Sequence, residues 1–291
     1  MLPLCLALSI ALAPPALALR PQAAPESGAG SPHASAEARA TWERLCAASG
    51  DASREPLSAF QFRADVLTRS GVQTNEAHID LGYLAPDCIR FVLPSRNETG
   101  RFGPAPEQYW MQTQASVVVL AGREYKEDRK AVDDMLALAR NYVALSHPAR
   151  LNLLALELPP APPADLGAAL SGRFKKLRWL VIESPDFALL KGELARETPA
   201  VYRVELGLRE DHLPAVAIVR ERGKPQADPL LVEFSDYNEQ DGFKLPFQVR
   251  VHALDRAHAP ATFAEAASQE VYVTAAALRP KLTVADFQPR K

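Results

Sequence analysis

PLLVEFSDYNEQDGFKLPFQVRVHALD spans residues 229–255, and QEVYVTAAALRPKLTVADFQP spans residues 269–289. In the first stretch Leu230, Val232 and Phe234 alternate with Leu231, Glu233 and Ser235. Leu245, Phe247, Val249 and Val251 then alternate with Pro246, Gln248, Arg250 and His252. A period of two marks a strand with one dry face and one wet face. The polar run from Asn238 to Gly242 between the two strands predicts a hairpin turn. A third strand is expected at Val271, Val273 and Ala275. The C-terminal part therefore reads as an antiparallel meander with a long apolar inner face. What that face covers decides the function.

Outward from this meander, the same alternation recurs. Residues 58–69 place Phe60, Phe62, Ala64 and Val66 on one side, against Gln61, Arg63 and Asp65. Residues 78–84 turn Ile79, Leu81 and Tyr83 inward, and Ile89, Phe91 and Leu93 continue the face. Residues 109–120 read as two strands bent near Gln114. A short helix is expected at 37–48, with Trp42, Leu45 and Cys46 on one side. A longer helix is expected at 127–146, where Val132, Met135, Leu136, Leu138, Ala139, Tyr142 and Val143 form an apolar stripe. Residues 149–158 are apolar and read as helix, the run PPAPP at 159–163 as a stiff linker, and 166–177 as a short helix. A second set of strands is expected at 178–182, 187–190, 201–208 and 215–221.

The chain has 291 residues, 47% hydrophobic and 23% charged, with a net charge of −2. This is ordinary globular composition. It offers no basic stripe for nucleic acid and no basic amphipathic helix for a membrane surface. Residues 1–18 are apolar and free of charged side chains, and end in Ala16-Leu17-Ala18, which reads as a secretory signal peptide. Residues 19–36, rich in Pro, Ala, Ser and Gly, read as a disordered linker. One domain is expected over 37–291, with a helical insertion at about 127–177. Beyond the leader two cysteines remain, Cys46 and Cys88. In an exported protein they could form a disulfide or stay two buried thiols, and the sequence leaves both open.

Three phrases carry a family resemblance. Leu81-Gly82-Tyr83-Leu84-Ala85-Pro86-Asp87-Cys88-Ile89-Arg90-Phe91 is a strand with a proline followed closely by Arg and an aromatic. Phe234-Ser235-Asp236-Tyr237 runs through Gly242 to Leu245-Pro246-Phe247. The third phrase is Leu282-Thr283-Val284-Ala285-Asp286-Phe287-Gln288-Pro289. Together with the element order, these resemble the LolA family of periplasmic lipoprotein carriers over roughly residues 40–289. The resemblance implies an α+β fold: an incomplete antiparallel β-barrel, that is, a strongly curved sheet with helices packed in the concave side. It further implies an internal cavity for acyl chains. Ala85 stands where the lipoprotein carriers tend to have Arg, so a general carrier or sensor is implied rather than lipoprotein sorting specifically.

Signatures of catalysis are missing from the sequence. It has no His-Glu-x-x-His, Gly-x-Ser-x-Gly, phosphate loop or dinucleotide fingerprint. Its six histidines are scattered, and His78 and His252 fall on wet strand faces. No metal site and no cofactor are expected. The aromatic and apolar residues at inward positions are the better clue. Phe91, Trp110, Met135, Trp179, Phe247 and Val249 are expected to line a cavity for a hydrophobic small molecule or acyl chain. The expected protein is a non-catalytic, periplasmic monomer, with envelope lipoproteins or membrane proteins as further partners. The alternative is an envelope structural or interaction module whose own helices fill the concavity.

Overall fold

The computed structural model describes residues 34–50, 58–70, 73–85, 88–92, 108–111, 117–120, 123–124, 153–184, 201–223, 229–255 and 261–287. The leader, most of the linker, the 127–146 helix with Met135, and the 187–190 strand lie outside these residues.

Thirteen strands form one antiparallel sheet. The first half is β1 (Ala59–Ser70), β2 (Gln73–Leu84), β3 (Cys88–Val92), β4 (Gln108–Met111), β5 (Val117–Leu120) and β6 (Arg123–Glu124). The second half is β7 (Ala155–Glu157), β8 (Arg178–Ser184), β9 (Tyr202–Leu208), β10 (Pro214–Glu221), β11 (Leu230–Gln240) and β12 (Phe243–His252). Each half is a meander of sequential neighbours. A small ribbon of β13 (Leu254–Asp255) and β14 (Thr262–Phe263) leads to β15 (Gln269–Ala277). That last strand inserts between β1 and β12 and joins the halves, giving the order β6-β5-β4-β3-β2-β1-β15-β12-β11-β10-β9-β8-β7. The terminal strands β6 and β7 do not pair, so the sheet is open. Adjacent strands rotate by roughly 20–25° each, and over so many strands the accumulated twist curls the sheet.

The β11–β12 hairpin is tighter than its sequence suggests. The strands pair through Gln240 and Phe243, and only Asp241 and Gly242 turn, with φ of 51° and 80°. Positive φ at both central residues is the type I′ geometry that matches strand twist. In β15 the inward set also departs from simple alternation. A bulge shifts the β1 register between Arg63 and Ala64, so Val273 faces Ala64 but Ala276 faces Phe62. Ala276, not the expected Ala275, packs on the core, and Ala275 is exposed.

Among the described residues, two α-helices cover opposite faces. Helix α1 (Ala36–Ser49) is capped by Ser35, whose Oγ accepts from the Ala38 amide at 3.1 Å. Ala38, Trp42, Leu45 and Cys46 project from one side, and α1 lies against β7, β8 and β12 on the inner face. Helix α2 (Gly167–Phe174) follows a 3-10 turn at Ala164–Leu166 and packs on the outer face. So the expectation of helices in the concave side describes α1, while α2 goes to the other side. Under α2, Leu166, Leu170 and Phe174 meet Trp179, Val216, Ile218, Leu231 and Phe263. Strands β8 and β10 are therefore buried on both faces, which explains their continuous apolar runs, and β11 is buried on both faces at Leu231 and Val232. Leu231, expected on a wet face, is fully buried here.

The apolar run at 149–158 was expected to be helix, but residues 155–157 form the edge strand β7, paired to β8. A short apolar run does not separate the two by periodicity. Cys46 and Cys88 are both buried and form no disulfide. Cys46 belongs to the inner cluster. Ile89 turns inward, so its neighbour Cys88 alternates to the opposite face of β3. Burial pushes the Cys46 thiol up to about 12.

Candidate functional site

The inner face carries the larger of the two apolar clusters among the described residues. One rung runs Val66, Val271, Val249, Phe234 across β1, β15, β12 and β11. Another runs Val232, Ala217, Leu206, Leu180 across β11, β10, β9 and β8. Phe60, Phe62 and Tyr83 stack beside the first, with ring centroids 5.1 and 5.3 Å from Phe60. All belong to one cluster that also takes Trp42, Leu45 and Cys46 of α1. Directly paired residues of antiparallel strands share a face. Apolar residues at each of these positions therefore make one greasy surface, not separate patches.

Of the residues expected to line a cavity, Val249 and Phe247 lie on this face. Val249 is fully buried, and Phe247 is half-buried at the margin of the cluster. Trp179 does not join them. It alternates to the outer face, opposite Gly207, and packs in the α2 cluster. The register sets Phe91 opposite Leu81 and Trp110 opposite Ile89. Their side chains, and Met135, lie outside the described residues. Tyr202 and Phe243 are inner-face residues that the sequence reading did not single out.

At the β7–β8 edge a cleft of about 320 Å³ opens where the two faces meet. Its walls are Leu158 and the prolines at 159, 160 and 162, with Leu177 and Trp179 opposite. Its charged residues are Glu37 at the start of α1, Lys175 just after α2, and Arg178 at the start of β8. Arg178 Nη2 lies 2.5 Å from Glu37 Oε1. The indole N–H of Trp179 is buried with no hydrogen-bond acceptor.

The outer face is polar where α2 does not cover it. Glu270 is buried among Arg69, Arg250 and Tyr272; the Tyr272 hydroxyl donates to it at 2.5 Å and Arg250 Nε lies at 3.4 Å. Burial alone would raise its carboxyl, but the bonds from Tyr272 and Arg69 and the nearby arginine charges hold it below the ordinary carboxylate range. His78 is exposed beside Asp65. His252, expected on a wet face, is 1% exposed. Its Nδ1–H donates to the Ala264 carbonyl at 2.9 Å, and Nε2 faces Glu233 Oε1 at 3.0 Å. Glu233 is in turn paired with Arg173 of α2. This cluster ties α2 and the β13–β14 ribbon to the sheet. Among the described residues no group of His, Cys, Asp or Glu is placed to hold a metal ion. Among the same residues no helix is long and apolar enough to cross a membrane.

No protein-family model matches the chain, and no curated protein is significantly similar to it. Solved structures that resemble it include a DUF1329 family protein from Desulfovibrio piger, at 11% identity and a TM-score of 0.42, covering 86% of this chain and 97% of that one. A LolA superfamily protein from Nitrosomonas europaea gives 11% identity and a TM-score of 0.43, covering 87% and 97%. A domain assigned to outer membrane lipoprotein sorting from Vibrio parahaemolyticus gives 10% and 0.41, covering 86% and 97%. These TM-scores lie below 0.5, and the functional reading rests on the chain's own geometry.

Proposed function

We propose that this protein is a non-catalytic carrier or sensor that holds an acyl chain, or a ligand of similar shape, against the inner face of its open sheet. The observation behind it is the unbroken apolar surface from β1 across β15 to β8. Burying apolar area there stabilises a bound chain by roughly 25 cal/mol per Å². The ligand enters beside α1, which occupies the inner face over β7, β8 and β12. The apolar run at residues 1–18, which reads as a secretory signal peptide, supports a periplasmic setting for this activity.

A second reading, an envelope interaction module with a self-filled core, draws on one observation. Phe60, Phe62, Ile89 and Val249 are at most 2% exposed within the chain itself. Native mass spectrometry separates the two. Protein from an exporting host is compared under gentle and denaturing conditions, before and after lipid is offered. The carrier reading expects extra mass that leaves on denaturation and appears as lipid in the organic extract. Bare protein in every spectrum rejects it in favour of the interaction module.

A further inference from the structure

The cleft at the β7–β8 edge has features that simple packing does not require. Leu158 on one wall belongs to the fringe of the inner cluster. Leu177 and Trp179 on the other belong to the outer cluster. The cleft therefore opens beside the entrance to the inner face rather than on a remote surface. Lys175 and Arg178 supply two cations against the single carboxylate of Glu37, in a chain whose net charge is −2. Among the described residues Lys175 makes no ion pair. The N–H of Trp179, a residue only 5% exposed, has no acceptor. Buried donors are nearly always satisfied, so an orphan in a cleft wall calls for an explanation. At about 320 Å³ the cleft is at the low end of small-molecule sites, which run ~300–1,000 Å³. It has room for a headgroup and a short stretch of chain, not a whole lipid.

We infer that this cleft is the headgroup site for an anionic single-chain amphiphile, with Lys175 and Arg178 binding the acid and the proline wall guiding the chain past Leu158 toward the inner face. The inference rests on the carrier reading and adds the charge and the entry point of its ligand. Lys175 donates to the acid group as a point charge, and Arg178, held by Glu37, presents its remaining guanidinium N–H groups. A ligand oxygen supplies the acceptor that Trp179 lacks. Protein atoms cover that N–H in this structure, so the indole tilts slightly on binding, and its fluorescence reports the event.

The chain has three tryptophans. Trp42→Phe with Trp110→Phe leaves Trp179 as the sole indole, and this variant is titrated with decanoate, decyltrimethylammonium and inorganic phosphate. The expected result is a saturable change in Trp179 emission with decanoate only. Lys175→Glu, at an exposed site that leaves the fold intact, weakens decanoate binding by about tenfold, the scale of one charged hydrogen bond. Equal responses to the anionic and cationic detergents overturn the charge assignment. Saturation by phosphate alone shows an ion site and overturns the amphiphile. Silence with decanoate overturns the inference whether or not native spectra show retained lipid. Retained lipid with a silent Trp179 leaves the carrier reading standing, and bare protein with a responding Trp179 leaves an anion-binding cleft but overturns the carrier reading and, with it, the chain path to the inner face.

Discussion

Gly207 in β9 leaves too little room for a Cβ, and replacing it with alanine tests the outer-face packing directly. A Cβ at this position would lie 2.6 Å from Val216 Cγ1, 2.8 Å from Leu177 Cδ1 and 3.4 Å from Trp179 Cη2. Carbon atoms settle at about 3.5–4.0 Å, so Val216 would have to yield by about 1 Å. Leu177 can swing its terminal methyl aside. Val216 cannot, because it is β-branched, fully buried and directly opposite Gly207 in the ladder. Overpacking of this kind costs about 2–3 kcal/mol. Alanine returns about 0.5–1 kcal/mol by restricting the unfolded chain. The net loss for Gly207→Ala is then about 1–2.5 kcal/mol, or about 3–8 °C in Tm for a domain of this size. Thermal melts followed by circular dichroism measure it. Because Leu177 and Trp179 are also walls of the edge cleft, the same variant should bind decanoate more weakly. A Gly207→Ala protein as stable as the parent would refute the packing of α2's face of the sheet as described.

Other perturbations probe other parts of the fold. His252→Ala leaves the Ala264 carbonyl short of its partner in a buried place, and should cost about 1–3 kcal/mol in urea unfolding; an unchanged midpoint would place His252 at the surface. Cys46 has its thiol raised to about 12 from an ordinary 9.0 by burial, so it should resist maleimide at pH 8 in the native protein and react once unfolded. Its contribution to stability is complete below pH 9.0 and declines as pH climbs toward 12, and rapid native labelling at pH 8 would contradict the burial. Gly242→Val puts a branched side chain at φ 80° and should destabilise by about 1–2 kcal/mol, whereas a neutral result would exclude the type I′ turn.

What could be read in the sequence followed from solvent. Strands β1, β2 and β12 keep one face wet, so Phe60, Phe62, Ile79, Leu81, Leu245 and Val249 stand out by alternation, and all of them are in the inner cluster. Strands β8 and β10 carry apolar residues on both faces, and their alternation vanishes, while β11 alternates but has Leu231 of its outward set covered by the outer cluster. That is why Leu231 looked wet and Trp179 looked inward. His252 falls on the polar side of β12, but α2 and the β13–β14 ribbon cover that part of the outer face, and local patterning cannot announce a cover from elsewhere in the chain. The β15 bulge that exchanges Ala275 for Ala276 leaves no Gly or Pro to mark it. The edge cleft was out of reach for the same reason: Glu37, Leu158 and Arg178 are far apart in sequence, and only the pairing of β7 with β8 and the placement of α1 bring them together.

The inner face as the acyl site is most directly tested by photolabelling with a long-chain fatty acid that carries a diazirine at its methyl end, followed by residue-level mass spectrometry of the peptides. The chain terminus should mark inward positions of several strands, Phe62 and Val66 in β1 and Phe247 and Val249 in β12, and excess unlabelled fatty acid should compete. Label confined to outer-face positions such as Val216 and Leu231, or scattered over exposed residues without competition, would contradict an acyl-binding inner face.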